Sequence, residues 1–183
     1  MTYLLDANVF IQAKNLHYGL DFCPAFWDWL IESNTSGKVF SIEKVGDELE
    51  AGADELADWA SNLGQSFFLK PDAPVVPALA TVSSWATGQR YDPAAVSTFL
   101  QVADYYLVAH ALAHEHVVVT HEKPDNSTLV RSHEKPDNST KRIKIPVACI
   151  GLDIKCMTPY EMLRRERARF VLGRAPTPND ARP

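Results

Sequence analysis

Asp6 closes a short apolar run, Tyr3-Leu4-Leu5, and Asn8 follows before apolar residues resume at Val9-Phe10-Ile11. An acid at the end of a buried strand is costly unless a metal ion or a hydrogen-bond donor meets it. Comparable acids recur along the chain. "HVVVTHE" at 116–122 puts Glu122 just beyond a β-branched run, and "ADYYLVAHAL" at 103–112 sets Asp104 in an otherwise apolar helix. "FSIEKVGDELEAG" carries Glu43, Asp47, Glu48 and Glu50 from a strand into a helix. Helical spacing puts Asp47 and Glu50 near one face with Glu48 about a quarter turn away, so spacing alone does not choose among them. Carboxylate oxygens are the donors that hard cations such as Mg2+ or Mn2+ prefer. Clustered unpaired carboxylates repel one another, and cation binding offsets that cost. A site of this type would orient a water for attack on a phosphodiester and stabilise charge on the leaving oxygen, with one ion or two about 3.5–4 Å apart.

Each acid also has a plainer reading. Asp6 with Asn8 could cap a turn or helix through nearby backbone amides; Asp104 could cap its helix; Glu48 and its neighbours could form a solvated face, and Glu122 an ordinary loop glutamate. Their joint placement argues for the site.

The elements that must position these acids read as α/β. Short apolar strands are expected at Tyr3–Leu5, Lys38–Ile42, His116–Thr120 and Ile154–Met157, with a weaker one in "SFFLK" at 66–70. Helices are expected at Pro24–Ser33, at Lys44–Ala51 and at Asp54–Leu63, the last capped by Asp54 and stopped by Gly64. Two more fall between Val75 and His114. Thr158-Pro159-Tyr160-Glu161 supplies an N-cap, a first-position proline and a capping-box glutamate for a final helix running to about Phe170. Strands alternating with helices predict a largely parallel sheet. In such a sheet ligands bind beyond the carboxyl ends of the strands, where Asp6 and Glu122 fall. One domain over residues 1–170 and a flexible tail over 171–183 follow.

"HEKPDNST" occurs at 121–128 and again at 133–140. Both copies are built from loop formers, and we read them as a duplication that lengthened one surface loop. The second copy carries Glu134, a substitute for Glu122 if the loop folds back.

The net charge of -5 gives no global attraction for nucleic acid. Local basic groups are Lys123, Lys135, "KRIK" at 141–144, and Arg164, Arg165, Arg167 and Arg169 on the final helix. Those arginines read equally as a solvated helix end that complements the dipole. His110, His114, His116, His121 and His133 lie near the third and fourth acids in sequence, but their spacing does not build a zinc site. Cys23, Cys149 and Cys156 lack CxxC spacing and read as free, buried thiols. No run approaches the roughly 18 apolar residues of a membrane helix, so a soluble cytoplasmic protein is expected. Phe26, Trp27, Trp29 and Leu30 exceed one helix stripe and read mostly as core, the excess suiting a dimer interface or a groove for a partner helix.

"YLLDANVFI", "SIEKVGDELEAG", "ADYYLVAHAL" and "VVVTHEKP", in this order, resemble the acidic motif set of PIN domains, metal-dependent ribonucleases that include the toxins of VapC-type toxin–antitoxin pairs. "KIPVACIGLDIKCMTPYEMLRR" is similar to a bacterial PIN-like subfamily of unassigned function. The resemblance implies a three-layer α/β/α, Rossmann-like sandwich with a short sheet. It implies Mg2+ or Mn2+ held by Asp6, Glu48, Asp104 and Glu122, an RNA substrate, a homodimer and an antitoxin partner. Asn8 falls at the accompanying polar position, Glu43 and Asp47 are fallbacks for Glu48, and Thr120 is the strand-ending threonine before the fourth acid. Glutamate at position 122 departs from the commoner aspartate. A catalytically silent PIN-like module that binds RNA or protein is the second reading. A phosphohydrolase using Asp6 as nucleophile is the third, but it wants an aspartate where Asn8 stands.

Overall fold

Tyr3, Leu4 and Leu5 are wholly buried, so the strand they form must lie mid-sheet with cover on both faces. The computed structural model describes residues 1–89, 91–124 and 142–170. Its strands are β1 (Tyr3–Leu5), β2 (Val39–Ile42), β3 (Phe68–Leu69), β4 (Val117–Val119) and β5 (Cys156–Met157). They form one sheet of order β3-β2-β1-β4-β5 in which every pairing is parallel. β1 matches its expected span, and the other four fall inside the stretches expected from sequence, shorter by a residue or two at their ends. The chain steps from β1 out to β3, returns over the sheet and re-enters beside β1 as β4, so the strand order reverses between β1 and β4. With its helices, the chain is a three-layer α/β/α, Rossmann-like sandwich.

The helices are α1 (Ala7–Gln12), α2 (Pro24–Thr35), α3 (Glu43–Glu50), α4 (Glu55–Leu63), α5 (Val75–Gly88), α6 (Pro93–Phe99), α7 (Ala103–His114), α8 (Ile145–Gly151) and α9 (Pro159–Arg165). Asp54 caps α4 by accepting from the Leu56 and Ala57 amides at 2.9 and 3.2 Å, and Gly64 ends it at φ 59°, a conformation that costs glycine little.

Three readings need correction. Between Val75 and His114 there are three helices rather than two, because Asp92 caps a separate α6 by accepting from the Ala94 amide at 2.8 Å with Pro93 at the first position. The capping box of α9 is present, but the helix ends at Arg165 rather than near Phe170. Arg167 turns left-handed at φ 54°, and the Ala168 amide reaches back to the Leu163 carbonyl at 2.9 Å, the bond that closes a helix end. Arg164 and Arg165 are therefore helical while Arg167 and Arg169 lie beyond the helix. Finally, α1, continued by a π-helical turn over Ala13–His17, and α8 are additional elements.

Phe10 of α1 anchors the core, with ring centroids 5.7 Å from Trp59 and 6.0 Å from Phe67. Phe26, Trp27 and Leu30 of α2 are buried within the chain, so most of that apolar surplus is core and Trp29 stays half-buried. All three cysteines are free; Cys149 is buried, and Cys23 and Cys156 are partly so. Among the described residues no helix is long and apolar enough to cross a membrane. The tail from 171 to 183 and most of the duplicated loop, with His133, Glu134, Lys135 and Lys141, lie outside the described residues.

Candidate metal centre

Register sets the centre of the site. Leu5 pairs with Val119, so the next residues, Asp6 and Thr120, meet just beyond the strand ends at the point where strand order reverses. The Asp6 amide continues the ladder to the Val119 carbonyl at 3.0 Å. Its backbone is extended at the N-cap position of α1, yet its side chain caps no helix amide. It instead accepts from the Thr120 hydroxyl at 2.8 Å. The cap reading of Asp6 thus fails on geometry.

Thr120 is the hub. While donating to Asp6, its hydroxyl oxygen accepts from Asn8 Nδ2 and from the Glu122 amide, both at 3.0 Å. Asn8 in turn accepts from the His121 amide at 3.0 Å. The strand-ending threonine therefore fixes the segments after β1 and β4 against each other, and among the described residues no ion pair is made by Asp6.

Three more acids act on Asp6 through their charge. Asp104 lies in the first turn of α7, whose N-cap is Val102, so Asp104 is not the cap. Glu122 follows β4, with one oxygen accepting from the Ile145 amide at the start of α8 at 2.9 Å. Glu48 comes from α3. Burial, then the charge of Asp104, raises Asp6 to about 7, against the Thr120 hydrogen bond; Glu122 and Glu48 add to the rise. Desolvation, followed by Asp104, also raises Glu48, whose carboxyl loses water although the residue is exposed overall. Asp104 and Glu122 are raised as well, chiefly by burial. Asp6, Glu48 and Glu122 thus each feel the charge of Asp104.

Electrostatics chooses among the α3 acids where spacing did not. Glu48 is in the field of Asp6 and Asp104. Glu43 pairs instead with Lys70 at 3.4 Å, and Asp47 lies 4.0 Å from Lys44 with most of its side chain in solvent. A cleft of about 680 Å³ opens beside Glu48 and Asp104, with Lys44, Gln101 and Arg142 on its walls.

Arg142 was read from sequence only as one of a basic run. Its Nη2 lies 3.3 Å from Asp104 Oδ2 and 3.0 Å from Glu122 Oε1. Against partial desolvation, Glu122, Asp104 and Asp6 push the guanidinium pKa up further. An arginine within a basic run carries no sequence signal for this position.

With this geometry in hand, the family can be stated. The chain belongs to the family described as a domain of unknown function (DUF4411), whose sequence model matches residues 3–170. No curated protein and no solved structure gives a significant match.

The donor set fits a hard divalent cation in type: four carboxylates, three of them largely buried, arriving from four separate segments, with Asp104 raising the proton affinity of the other three. Among the described residues, no three His, Cys, Asp or Glu side chains are already gathered as a ligand set; two of the four acids are turned to Arg142. Among the described residues, His110, His114 and His116 stand apart from these acids. His110 and His114 lie toward the far end of α7, roughly 9 and 15 Å along the helix from Asp104 at its rise per residue, and His116 follows just beyond it. There His114 meets Asp72 at 3.1 Å, and burial lowers His110 to about 4 with both ring nitrogens unpaired.

His121, next to Thr120, joins a ring group that sequence reading passed over. Its ring centroid lies 5.7 Å from His17 and 5.6 Å from Tyr160, and Tyr160 Oη lies 2.9 Å from His17 Nε2. Burial, then the charge of His17, lowers the His121 pKa. The three rings come from the π-helical turn, the β4 end and α9, and no local motif joins them.

Proposed function

We propose that the chain is a metal-dependent endoribonuclease that hydrolyses RNA phosphodiester bonds in the cytoplasm as the toxin of a type II toxin–antitoxin pair. One observation carries the reading: Asp6, Glu48, Asp104 and Glu122 come from four separate segments and share one electrostatic neighbourhood at the strand-order reversal, beside an open cleft. That is where doubly wound sheets place their chemistry. Asp6, Glu48, Asp104 and Glu122 would hold the ion. Bound Mg2+ or Mn2+ supplies activation of a water and charge stabilisation at the leaving oxygen. Thr120 and Asn8 keep Asp6 oriented, and the cleft beside Glu48 admits a strand whose phosphates Lys44 can meet. The motif resemblance to PIN ribonucleases supports the RNA preference, the antitoxin and the homodimer.

The test is cleavage of a mixed-sequence RNA by purified protein with Mg2+ or Mn2+, with a chelator, and in Asp6→Asn and Asp104→Asn. Cutting that needs metal and disappears in both variants is expected. Absence of cutting, or cutting that survives both substitutions, overturns the nuclease reading. The toxin assignment predicts that expression halts growth of a bacterial host and that Asp6→Asn relieves it.

A second reading, a PIN-like module without catalysis that binds RNA or protein, is favoured by one feature: Arg142 already neutralises two of the four acids. Tight RNA binding with no cleavage under any metal would select it.

A further inference from the structure

Three properties of Arg142 separate it from an ordinary surface ion pair. Its side chain is 65% exposed while those of Asp104 and Glu122 are 12% and 14% exposed, so the cation can leave and the acids cannot follow it. A single nitrogen, Nη2, serves both carboxylates at 3.3 and 3.0 Å. This differs from the two-pronged fork by which arginine grips one carboxylate firmly. The next residue, Ile143, is buried at 1% exposure, so the backbone is anchored while the tip lies in the cleft that holds Glu48, Asp104, Lys44 and Gln101.

Without a divalent ion, the four carboxylates need positive charge, and among the described residues Arg142 forms ion pairs with two of them. An ion bound by the same acids meets that need instead, and the guanidinium loses its partners. A guanidinium released into the cleft has the planar donor geometry that matches a phosphate.

We propose that Arg142 is a tethered counter-ion that shields the carboxylates of the empty site, competes with the divalent ion for Asp104 and Glu122, and on displacement contacts the phosphate of the RNA backbone. This rests on the nuclease reading and adds to it a residue with two successive partners. It makes two predictions of opposite sign for one substitution. Losing the guanidinium removes a competitor, so metal binds more tightly; it also removes a phosphate contact, so RNA is held less well.

Mn2+ titrated calorimetrically into the RNA-free protein reads the first arm. Arg142→Ala is expected to bind Mn2+ about tenfold more tightly than the wild type, a gain typical of removing one close like charge. Arg142→Lys retains the charge and is expected to stay near the wild type; it also guards against an alanine variant that fails to fold. The KM for RNA at saturating Mn2+ reads the second arm, and an increase of tenfold or more is expected for Arg142→Ala. A merely structural arginine would weaken both. Equal Mn2+ affinity in wild type and Arg142→Ala, or weaker affinity in the variant, overturns the shield and leaves the nuclease reading standing. An unchanged KM overturns the phosphate contact. Absence of Mn2+ binding in every variant sinks the nuclease reading and this inference with it, whereas binding that appears only in Arg142→Ala establishes the shield.

Discussion

Replacing Asp6 with asparagine should stabilise the metal-free protein. Asp6 is 5% exposed, and burial together with Asp104, Glu122 and Glu48 moves its pKa from 3.8 to about 7. At ~1.4 kcal/mol per tenfold in proton affinity, the displacement amounts to about 4 kcal/mol of cost for the ionised form. The folded-state pKa lies above the unfolded one, so folding takes up a proton. The stability this lends is complete below about pH 4 and is lost as pH rises through 7. Asparagine lacks the charge, and its amide oxygen can still accept the Thr120 hydrogen bond. We expect Asp6→Asn to match the wild type near pH 4 and to exceed it by about 2–4 kcal/mol at pH 8, because local relaxation trims the full figure. The assay is urea unfolding in chelator across pH 5–8. The order should reverse with Mn2+, since only the wild type gains stability by binding it. Parallel stability profiles from pH 5 to 8, or an Asp6→Asn variant less stable than the wild type at pH 8, would refute the argument.

Thr120→Val removes the acceptor of Asn8 Nδ2 and of the Glu122 amide together with the donor to Asp6. A loss of about 1–3 kcal/mol is expected in urea unfolding, with Thr120→Ser close to the wild type. Because the Thr120 hydrogen bond holds the Asp6 pKa down, the valine variant should also show the pH dependence of Mn2+ affinity displaced to higher pH. Thr158→Ala breaks the α9 capping box, where Thr158 Oγ1 accepts from the Glu161 amide at 3.3 Å and Glu161 receives the Thr158 amide at 2.7 Å. It should cost about 1 kcal/mol in the same assay and leave Mn2+ affinity unchanged, because no carboxylate of the site depends on that turn.

What could be read in advance follows from contrast. Asp6 and Asp104 stand out because each interrupts apolar sequence, and the five strands are legible because β-branched and aromatic runs are bounded by turn formers. Helical spacing does not separate Glu48 from Glu43 and Asp47; the family resemblance selects it, and the charge of Asp104 acting on Glu48 agrees with that choice. The α8 run Ile145–Gly151 hides for the opposite reason: Ile145, Pro146, Val147, Ala148 and Cys149 are all buried, and a segment covered all round has no periodicity to detect. Helix α1 is short and merges into a π-helical turn, so its apolar residues match neither period well. Arg142 is the instructive miss. A basic run in sequence looks like solvent-facing charge, and its role depends on two acids 38 and 20 residues away that only the folded chain brings to it.

The electrostatics of the site favour the metal-site proposal. A fold selected for stability alone would not keep Asp6 buried with a raised pKa while Asp104, Glu48 and Glu122 add repulsion, because a neutral residue at position 6 preserves the Thr120 hydrogen bond without the charge. The hydrogen bonds around Thr120 do not neutralise Asp6; they orient it. Arg142 neutralises Asp104 and Glu122 but touches neither Asp6 nor Glu48 directly. Part of the acidity therefore stays uncompensated at the end of β1, where a divalent ion has most to gain. The sign of the Asp6→Asn effect in chelator, and its reversal in Mn2+, separates that stored electrostatic cost from an incidental one: a merely structural aspartate would lose stability on substitution under both conditions.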